Sequence, residues 1–276
     1  MCNRPSADTH IGMPGPLLYD DVMALGYRHV GVIGAMAEEV ERLHHHLDAE
    51  VVTEHAGRIY RHGLLAGQRV TVVQSRIGKV AATLTAAALI RDHDVDAIVF
   101  TGIAGALHDG LAIGDVVVAT DLVQHDLAGP PEMFARSEIP LLGVVELPTE
   151  PTLTGAAVAA ARAFVDDGLG AVVTPEQLAE LGVGRPSVHT GQVATGDEFI
   201  EGELKEIVRR RSPRALCVDM EGAAVAQACH ELDDVPLCVV RAISDLAGGT
   251  ASVDFPRFLD QLASHYSYEI LRRMFS

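Results

Sequence analysis

The chain is 276 residues long, and its 38 acidic against 21 basic residues leave a formal charge of −17. A field of that sign repels phosphate-rich polymers, which argues against nucleic acid as a partner and favours a neutral or cationic small substrate. With 48% hydrophobic residues and 26 glycines, the composition is that of an α/β protein whose strands and crossover helices are both apolar.

Residues 1–27, rich in Pro, Gly and polar side chains, read as an N-terminal extension to a single domain over 28–276. The extension lacks the basic start and apolar stretch of a secretory leader. From His29 the pattern becomes regular. His29–Gly34 reads as a buried strand, Ala35–Leu47 as a helix, Val51–Gly63 as a hairpin and Arg69–Gln74 as a strand. Lys79–His93 is an Ala-rich helix, and Ala97–Thr101 and Val116–Ala119 are further strands. The proline-rich stretch 124–151 has little periodicity and reads as a functional loop or an interface segment. A helix is expected over Thr152–Asp167, a strand over Ser187–Ala194, and helices over Gly202–Arg210 and Met220–Leu232 around a strand at Ala215–Val218. The strand Leu237–Ile243 follows, then a terminal helix from Phe255 with Asp254 as its cap and Pro256 in its first turn. Such alternation predicts an α/β fold, a single three-layer α/β/α domain around a central, mostly parallel mixed twisted sheet. Three of the four cysteines sit in apolar stretches, none forms a CxxC pair, and no run reaches the roughly 18 apolar residues of a membrane span. A cytoplasmic protein is expected, with no metal and no cofactor.

Ligands of open α/β sheets bind outside the carboxyl ends of the strands, so the residues that follow each strand are where chemistry is sought. Those segments are Gly34–Glu39, Ser75–Lys79, Thr101–Gly105, Thr195–Ile200, Asp219–Gly222 and Ser244-Asp245. Carboxylates appear in four of these six segments, without a Cys/His metal pattern, which suggests acid–base work on an uncharged substrate. Gly102–Gly105 matches neither the dinucleotide fingerprint nor a phosphate loop. Glu38 and Glu39 also suit a helix start, and Asp219 with Glu221 also suits a cap. Asp245 is harder to explain structurally, because an acid at an apolar strand end needs partners and has its pKa raised by desolvation.

Seven segments in order, Gly31–Val40, Ser75–Ala81, Thr101–Gly105, Ile113–Val117, Thr195–Ile200, Val218–Glu221 and Val240–Asp245, resemble the nucleoside phosphorylase/nucleosidase superfamily. Within it they resemble the 5′-methylthioadenosine/S-adenosylhomocysteine nucleosidases, from residue 29 to the C-terminus. The resemblance implies that Asp245 is the acid that protonates N7 of the purine, that Glu39 binds and activates the attacking water, and that Glu221 holds the ribose hydroxyls. It further implies that Met220 and Met36 pack on the sugar, that Phe199 stacks on the base and that the Ile200 backbone reads the adenine edge. Ser244 and Arg241 would orient Asp245, while Ile77 and Phe255 would wall the pocket for the 5′ substituent.

The resemblance implies a homodimer, with the segment 126–150 at the contact. Hydrolysis is favoured over phosphorolysis because Glu38 and Glu39 at the first strand end would repel phosphate, and the presence of all three carboxylates argues against a binding protein without catalysis. Arg76, Ile103, Leu246–Gly249 and 126–150 depart from the better-known members and leave the 5′ group, or another purine nucleoside, open.

Overall fold

The computed structural model describes residues 25–276, so most of the N-terminal extension lies outside the described residues. In chain order the elements are β1 (Val30–Gly34), α1 (Ala37–His45), β2 (Asp48–His55), β3 (Arg58–Leu65), β4 (Gln68–Gln74), α2 (Lys79–Asp92), β5 (Ala97–Ala106), β6 (Val116–Gln124) and β7 (Leu147–Pro148). They continue with α3 (Pro151–Ala163), α4 (Leu169–Val172), α5 (Pro175–Glu180), β8 (Val188–Thr195), α6 (Glu203–Arg211), β9 (Ala215–Asp219), α7 (Gly222–Glu231), β10 (Leu237–Asp245), α8 (Ala251–Phe258) and α9 (Ser264–Met274), with π-helical turns at Phe164–Gly168 and Leu259–Ala263.

Successive side chains of a strand face opposite sides, and this alternation builds two cores. Val30, Val32, Val72, Val99, Val116, Val118, Val240 and Ala242 face α1, α3 and α9 through Val40, Leu43, Leu153, Ala157, Ile270 and Leu271. Ile33, Val73, Ile98, Phe100, Val117, Val239 and Ile243 face α2 and α7 through Ala82, Ala86, Leu89, Ala223 and Val225. The result is the expected three-layer α/β/α fold around a mixed sheet. Among the described strands five pairings are parallel and five antiparallel. No helix among the described residues is long and apolar enough to cross a membrane.

The pairing around β5 creates the site. The ring β10–β6–β8–β9–β5 closes on itself because β10 also pairs with β5, while β1, β4, β3 and β2 extend outward from β5. One edge of β5 pairs with β10 from Ile98 to Gly105. The other edge is divided. Ala97–Phe100 pair with β1 and Gly105-Ala106 with β9. Residues 101–104 therefore face a gap between two strands, at the carboxyl ends where ligands of such sheets bind.

Several boundaries differ from the sequence reading. β5 runs through Gly102–Ala106 rather than stopping at Thr101, and no helix follows it. α7 starts at Gly222, since Met220 and Glu221 complete a turn capped by Asp219. The terminal helix starts at Ala251, with Thr250 at its cap and Pro256 inside it; Asp254 is therefore a first-turn residue, whose carboxylate accepts a hydrogen bond from the Thr250 hydroxyl.

Candidate active site

Glu39 lies in the first turn of α1, just beyond β1, and is 2% exposed. Its Oε2 accepts from the backbone N–H groups of Ala35 at 2.6 Å and Met36 at 2.9 Å, and its Oε1 from Ile103 N–H at 3.1 Å. Two of these donors belong to the helix start, where N–H groups lack intrahelical partners. The third comes from the divided edge of β5. A Cβ at position 102 would stand 2.7 Å from Glu39 Oε1, so this close approach requires glycine. Burial raises the Glu39 pKa, against the lowering effect of these amides and of Arg241.

Glu221 follows β9 and is 6% exposed. Its Oε1 accepts from Gly78 N–H at 2.9 Å. Burial first, and then the neighbouring Asp219 carboxylate, push its pKa up, while the Gly78 amide and Arg241 oppose them. Met220, directly before Glu221, and Met36, three residues before Glu39, are half-buried.

Asp245 ends β10 and is 2% exposed. Its Oδ1 accepts from Ala247 N–H and its Oδ2 from the Ser244 hydroxyl, both at 2.8 Å. Desolvation raises its pKa, and the Asp254 and Glu201 charges add to that, against these two hydrogen bonds. The Ser244 hydroxyl also lies 3.3 Å from the Ala104 carbonyl. Having one proton and two acceptors, it can donate to ionised Asp245, or to the carbonyl when Asp245 carries its own proton. A Cβ on Gly105 would be 3.0 Å from Asp245 Oδ1. The Glu39 and Asp245 carboxylates thus both approach β5, at Gly102 and at Gly105.

Phe199 is half-exposed after β8 and meets Phe255 of α8 edge to face, with ring centroids 5.5 Å apart. Ile200 beside it is buried. Ile77 is half-exposed and immediately precedes Gly78. The structure thus gathers the three carboxylates, Ser244 and the Phe199–Phe255 pair at one end of the sheet.

Arg241 has a different place from the one expected. It does not touch Asp245, which is four residues, about 13 Å, further along the strand. Instead Arg241 Nε donates to Asp219 Oδ2 at 2.9 Å, and Nη2 lies 2.8 Å from the same oxygen, off the hydrogen-bond direction. Nη1 donates to the carbonyls of Phe100 and Val240, and the guanidinium lies over the Phe100 ring at 4.1 Å. Both members of the ion pair are 1% exposed. Asp219 also accepts from the Thr195 hydroxyl and from Glu221 and Gly222 N–H. The sequence offered Asp219 only as a cap, and its pairing with Arg241 depends on ring closure between β9 and β10. Arg76, at φ +76°, donates to the Gly57 carbonyl at 2.7 Å in the β2–β3 turn and so ties that hairpin to the site end of the sheet.

Residues 29–276 match the model of the phosphorylase superfamily, and the chain belongs to that superfamily. Over 239 residues it is 34% identical to a 5′-methylthioadenosine/S-adenosylhomocysteine nucleosidase of Chromohalobacter salexigens, covering 86% of this chain and 93% of that one. Among solved structures, the nucleosidase of that name from Colwellia psychrerythraea, in complex with adenine, superposes with a TM-score of 0.78 at 34% identity, over 90% of this chain and 95% of that one. A futalosine hydrolase of Helicobacter pylori superposes with a TM-score of 0.74 at 30% identity, over 90% and 98%. Within the superfamily, the chain belongs to the 5′-methylthioadenosine/S-adenosylhomocysteine nucleosidase family.

Proposed function

We propose that this chain, over residues 28–276, hydrolyses the N-glycosidic bond of a 5′-substituted adenosine, methylthioadenosine or S-adenosylhomocysteine, and releases adenine and the ribose derivative. It is an N-glycosyl hydrolase. The observation that carries the reading is the set of three buried carboxylates around the gap in β5, each with a different set of partners.

Loss of a purine passes through an oxocarbenium-like state, in which one group protonates the leaving base and another handles water. Asp245 is the acid. Burial favours its neutral form, and the Ser244 hydroxyl can serve either protonation state. Glu39 holds and activates water, and Glu221 takes the ribose hydroxyls. In their ionised forms they favour the cation growing on the sugar; burial raises both pKa values, that of Glu221 to about 8, and Arg241 opposes the rise. Met36 and Met220 flank the sugar, Phe199 stacks on the base, Ile200 reads the adenine edge by its backbone, and Ile77 and Phe255 wall the 5′ pocket.

Water is favoured over phosphate as the nucleophile by the way Glu39 is held. It uses the amides of Ala35, Met36 and Ile103, the donors that an anion at this helix start would need. The purified enzyme should release adenine from methylthioadenosine at the same rate with and without phosphate. Strict dependence on phosphate would overturn the reading. Rates on adenosylhomocysteine, adenosine and inosine would rank the 5′ group and the base.

We infer a homodimer and a reducing, cytoplasmic setting. Val80 (74% exposed) and Leu84 (58%) on α2 lie near Ile77, and Met133 (69%) and Leu141 (94%) project from the 126–150 segment. Apolar exposure of this kind marks interfaces. A fully active monomer in light scattering would overturn the dimer. Cys217, Cys229 and Cys238 are buried free thiols, consistent with a reducing compartment.

A further inference from the structure

The amide that serves Glu221 has a neighbour with a different partner. Gly78 N–H donates to Glu221, and the next amide, Lys79 N–H, donates to Asp197 Oδ1 at 3.0 Å. These amides open α2, whose cap residue Gly78 has no side chain to offer. The carboxylate of Asp197, from the loop that carries Phe199 and Ile200, supplies the missing cap from 118 residues away. The same loop is tied a second time. Asp197 N–H donates to Asp126 Oδ2 at 2.9 Å, and the Lys79 ammonium donates to both Asp126 oxygens at 2.7 and 2.9 Å while lying 3.4 Å from Asp197 Oδ2.

The side chain of Lys79 is 16% exposed and that of Asp126 26%, so these two form a half-buried pair, with the more exposed Asp197 (54%) at its rim. Burial would raise the Asp126 pKa, but the Lys79 hydrogen bond and the Asp197 amide outweigh it and hold the carboxyl below its usual range. Beneath the loop, the buried His125 ring lies so close to Gly196 that any Cβ at 196 would collide with it. The loop is held from below by a ring and from the side by a charge.

We propose that Lys79, through Asp126 and Asp197, is the positioning residue that sets the base-stacking loop 196–200 in register with the ribose carboxylate Glu221. Without the ammonium, two carboxylates within reach of one cation are left facing each other, and like charges at this range repel. The loop moves off the start of α2, and Phe199 moves away from the plane fixed by Glu221 and Asp245. Lys79 touches no substrate atom in this arrangement. Its effect falls on binding of the base.

This inference rests on the nucleosidase reading, and the two fail separately. Wild-type enzyme that releases no adenine from methylthioadenosine sinks the reading of the site. Wild-type enzyme that does so, with a Lys79 variant indistinguishable from it, sinks the positioning role alone. The measurements are KM and kcat for methylthioadenosine and, by calorimetry, Kd for free adenine, which occupies only the base subsite.

Lys79→Met is expected to raise both KM and the adenine Kd about tenfold while kcat falls less, and Lys79→Arg to bring both back within about threefold, since a guanidinium can still bridge the two carboxylates. Asp126→Asn keeps shape and removes charge, and carries the test if Lys79→Met gives no soluble protein. It should raise the adenine Kd severalfold. A lowered Tm with KM and adenine Kd within twofold of wild type, in either variant, would mean a structural tie only and would overturn the proposal.

Discussion

Two groups of buried and half-buried polar side chains sit at opposite ends of β1 and respond to burial in opposite ways. At the carboxyl end are Glu39, Glu221, Asp245 and Asp219 with Arg241. At the amino end are His29, His62 and His93. His29 Nε2 and His62 Nδ1 lie 2.7 and 2.8 Å from the Thr71 hydroxyl, His62 Nε2 is 2.9 Å from the Thr53 hydroxyl, and the His93 ring packs tilted against Tyr60 with centroids 4.2 Å apart. Desolvation disfavours charge in both groups. It raises Glu39, Glu221 and Asp245, lowers His29 to about 3 and His62 to about 4, and lowers His93. What differs is the surroundings. The carboxylates have a buried cation and backbone donors, so charged and neutral forms are both accommodated, and they border a gap in the sheet. The His29 and His62 rings bond to hydroxyls, His93 Nε2 has no partner among the described residues, and desolvation outweighs the nearby Asp96 and Asp92 charges, so the rings remain neutral. A perturbed pKa marks a site only where a substrate can reach it.

The sharpest way to break this comparison is to exchange the effects of the two groups. Asp245→Asn should lower kcat/KM for methylthioadenosine by ~10³-fold or more, within the range a positioned general acid supplies, with Tm nearly unchanged because the amide fills the same space. His62→Gln should leave kcat/KM within about twofold. If adenine release survives Asp245→Asn, the carboxylate end is merely another buried cluster.

Arg241→Met comes next, measured as stability. Removing one member of a buried ion pair leaves the other uncompensated and costs ~3–5 kcal/mol, read by urea unfolding. The double variant Arg241→Met/Asp219→Asn should recover a substantial part of that loss, because no buried charge remains. Equal instability of single and double variants would show that Arg241 acts by filling space under Phe100, and not by charge.

Arg241 also shows where sequence reading stopped. The layers were legible because alternation along β1, β5 and β10 is a local property. The carboxylates were legible because a ligand site at the strand ends is a general consequence of such sheets. The partner of Arg241 was not legible. It sits at one position of β10 and its acid closes β9, 22 residues earlier, and they meet only because both strands border β5. Gly102 belongs to the same class. In the sequence its stretch matches neither the dinucleotide fingerprint nor a phosphate loop, and its role emerges only because β5 continues past Thr101 and leaves no room for a Cβ beside the Glu39 carboxylate. The start of α8 was misplaced for a local reason, as Pro256 suits a first turn yet lies inside the helix.

The two ends also carry opposite linkage to pH. His29 and His62 have folded pKa values below the ordinary 6.5, so their contribution is fully present above pH 6.5 and is lost as the unfolded chain takes up protons below it, down to about pH 4 for His62 and about 3 for His29. Each proton taken up only by the unfolded chain costs up to ~1.4 kcal/mol per pH unit, and less for the more exposed His62. Glu39, Asp245 and Glu221, the last raised to about 8, act the other way and favour the folded chain on the acid side. In urea unfolding, His62→Gln should lose less stability than the wild type on going from pH 7 to 5. An equal loss would remove the histidines from the account.

The smallest expected effect tests the acid itself. Asp254 adds to the raising of the Asp245 pKa by its charge, and burial contributes more. Because a raised acid is active while protonated, activity falls as pH rises through its folded pKa. Asp254→Asn removes the repulsion while keeping an oxygen for the Thr250 hydroxyl to donate to. The alkaline limb of kcat/KM should then move to lower pH, by less than desolvation alone supplies. The shift should shrink as salt is raised from 0.1 to 1 M, where the screening length falls from ~10 to ~3 Å. A shift to higher pH would mean that the limb belongs to another group, and a salt-independent shift would mean that Asp254 acts by moving α8 and Phe255 against Phe199, not through its field.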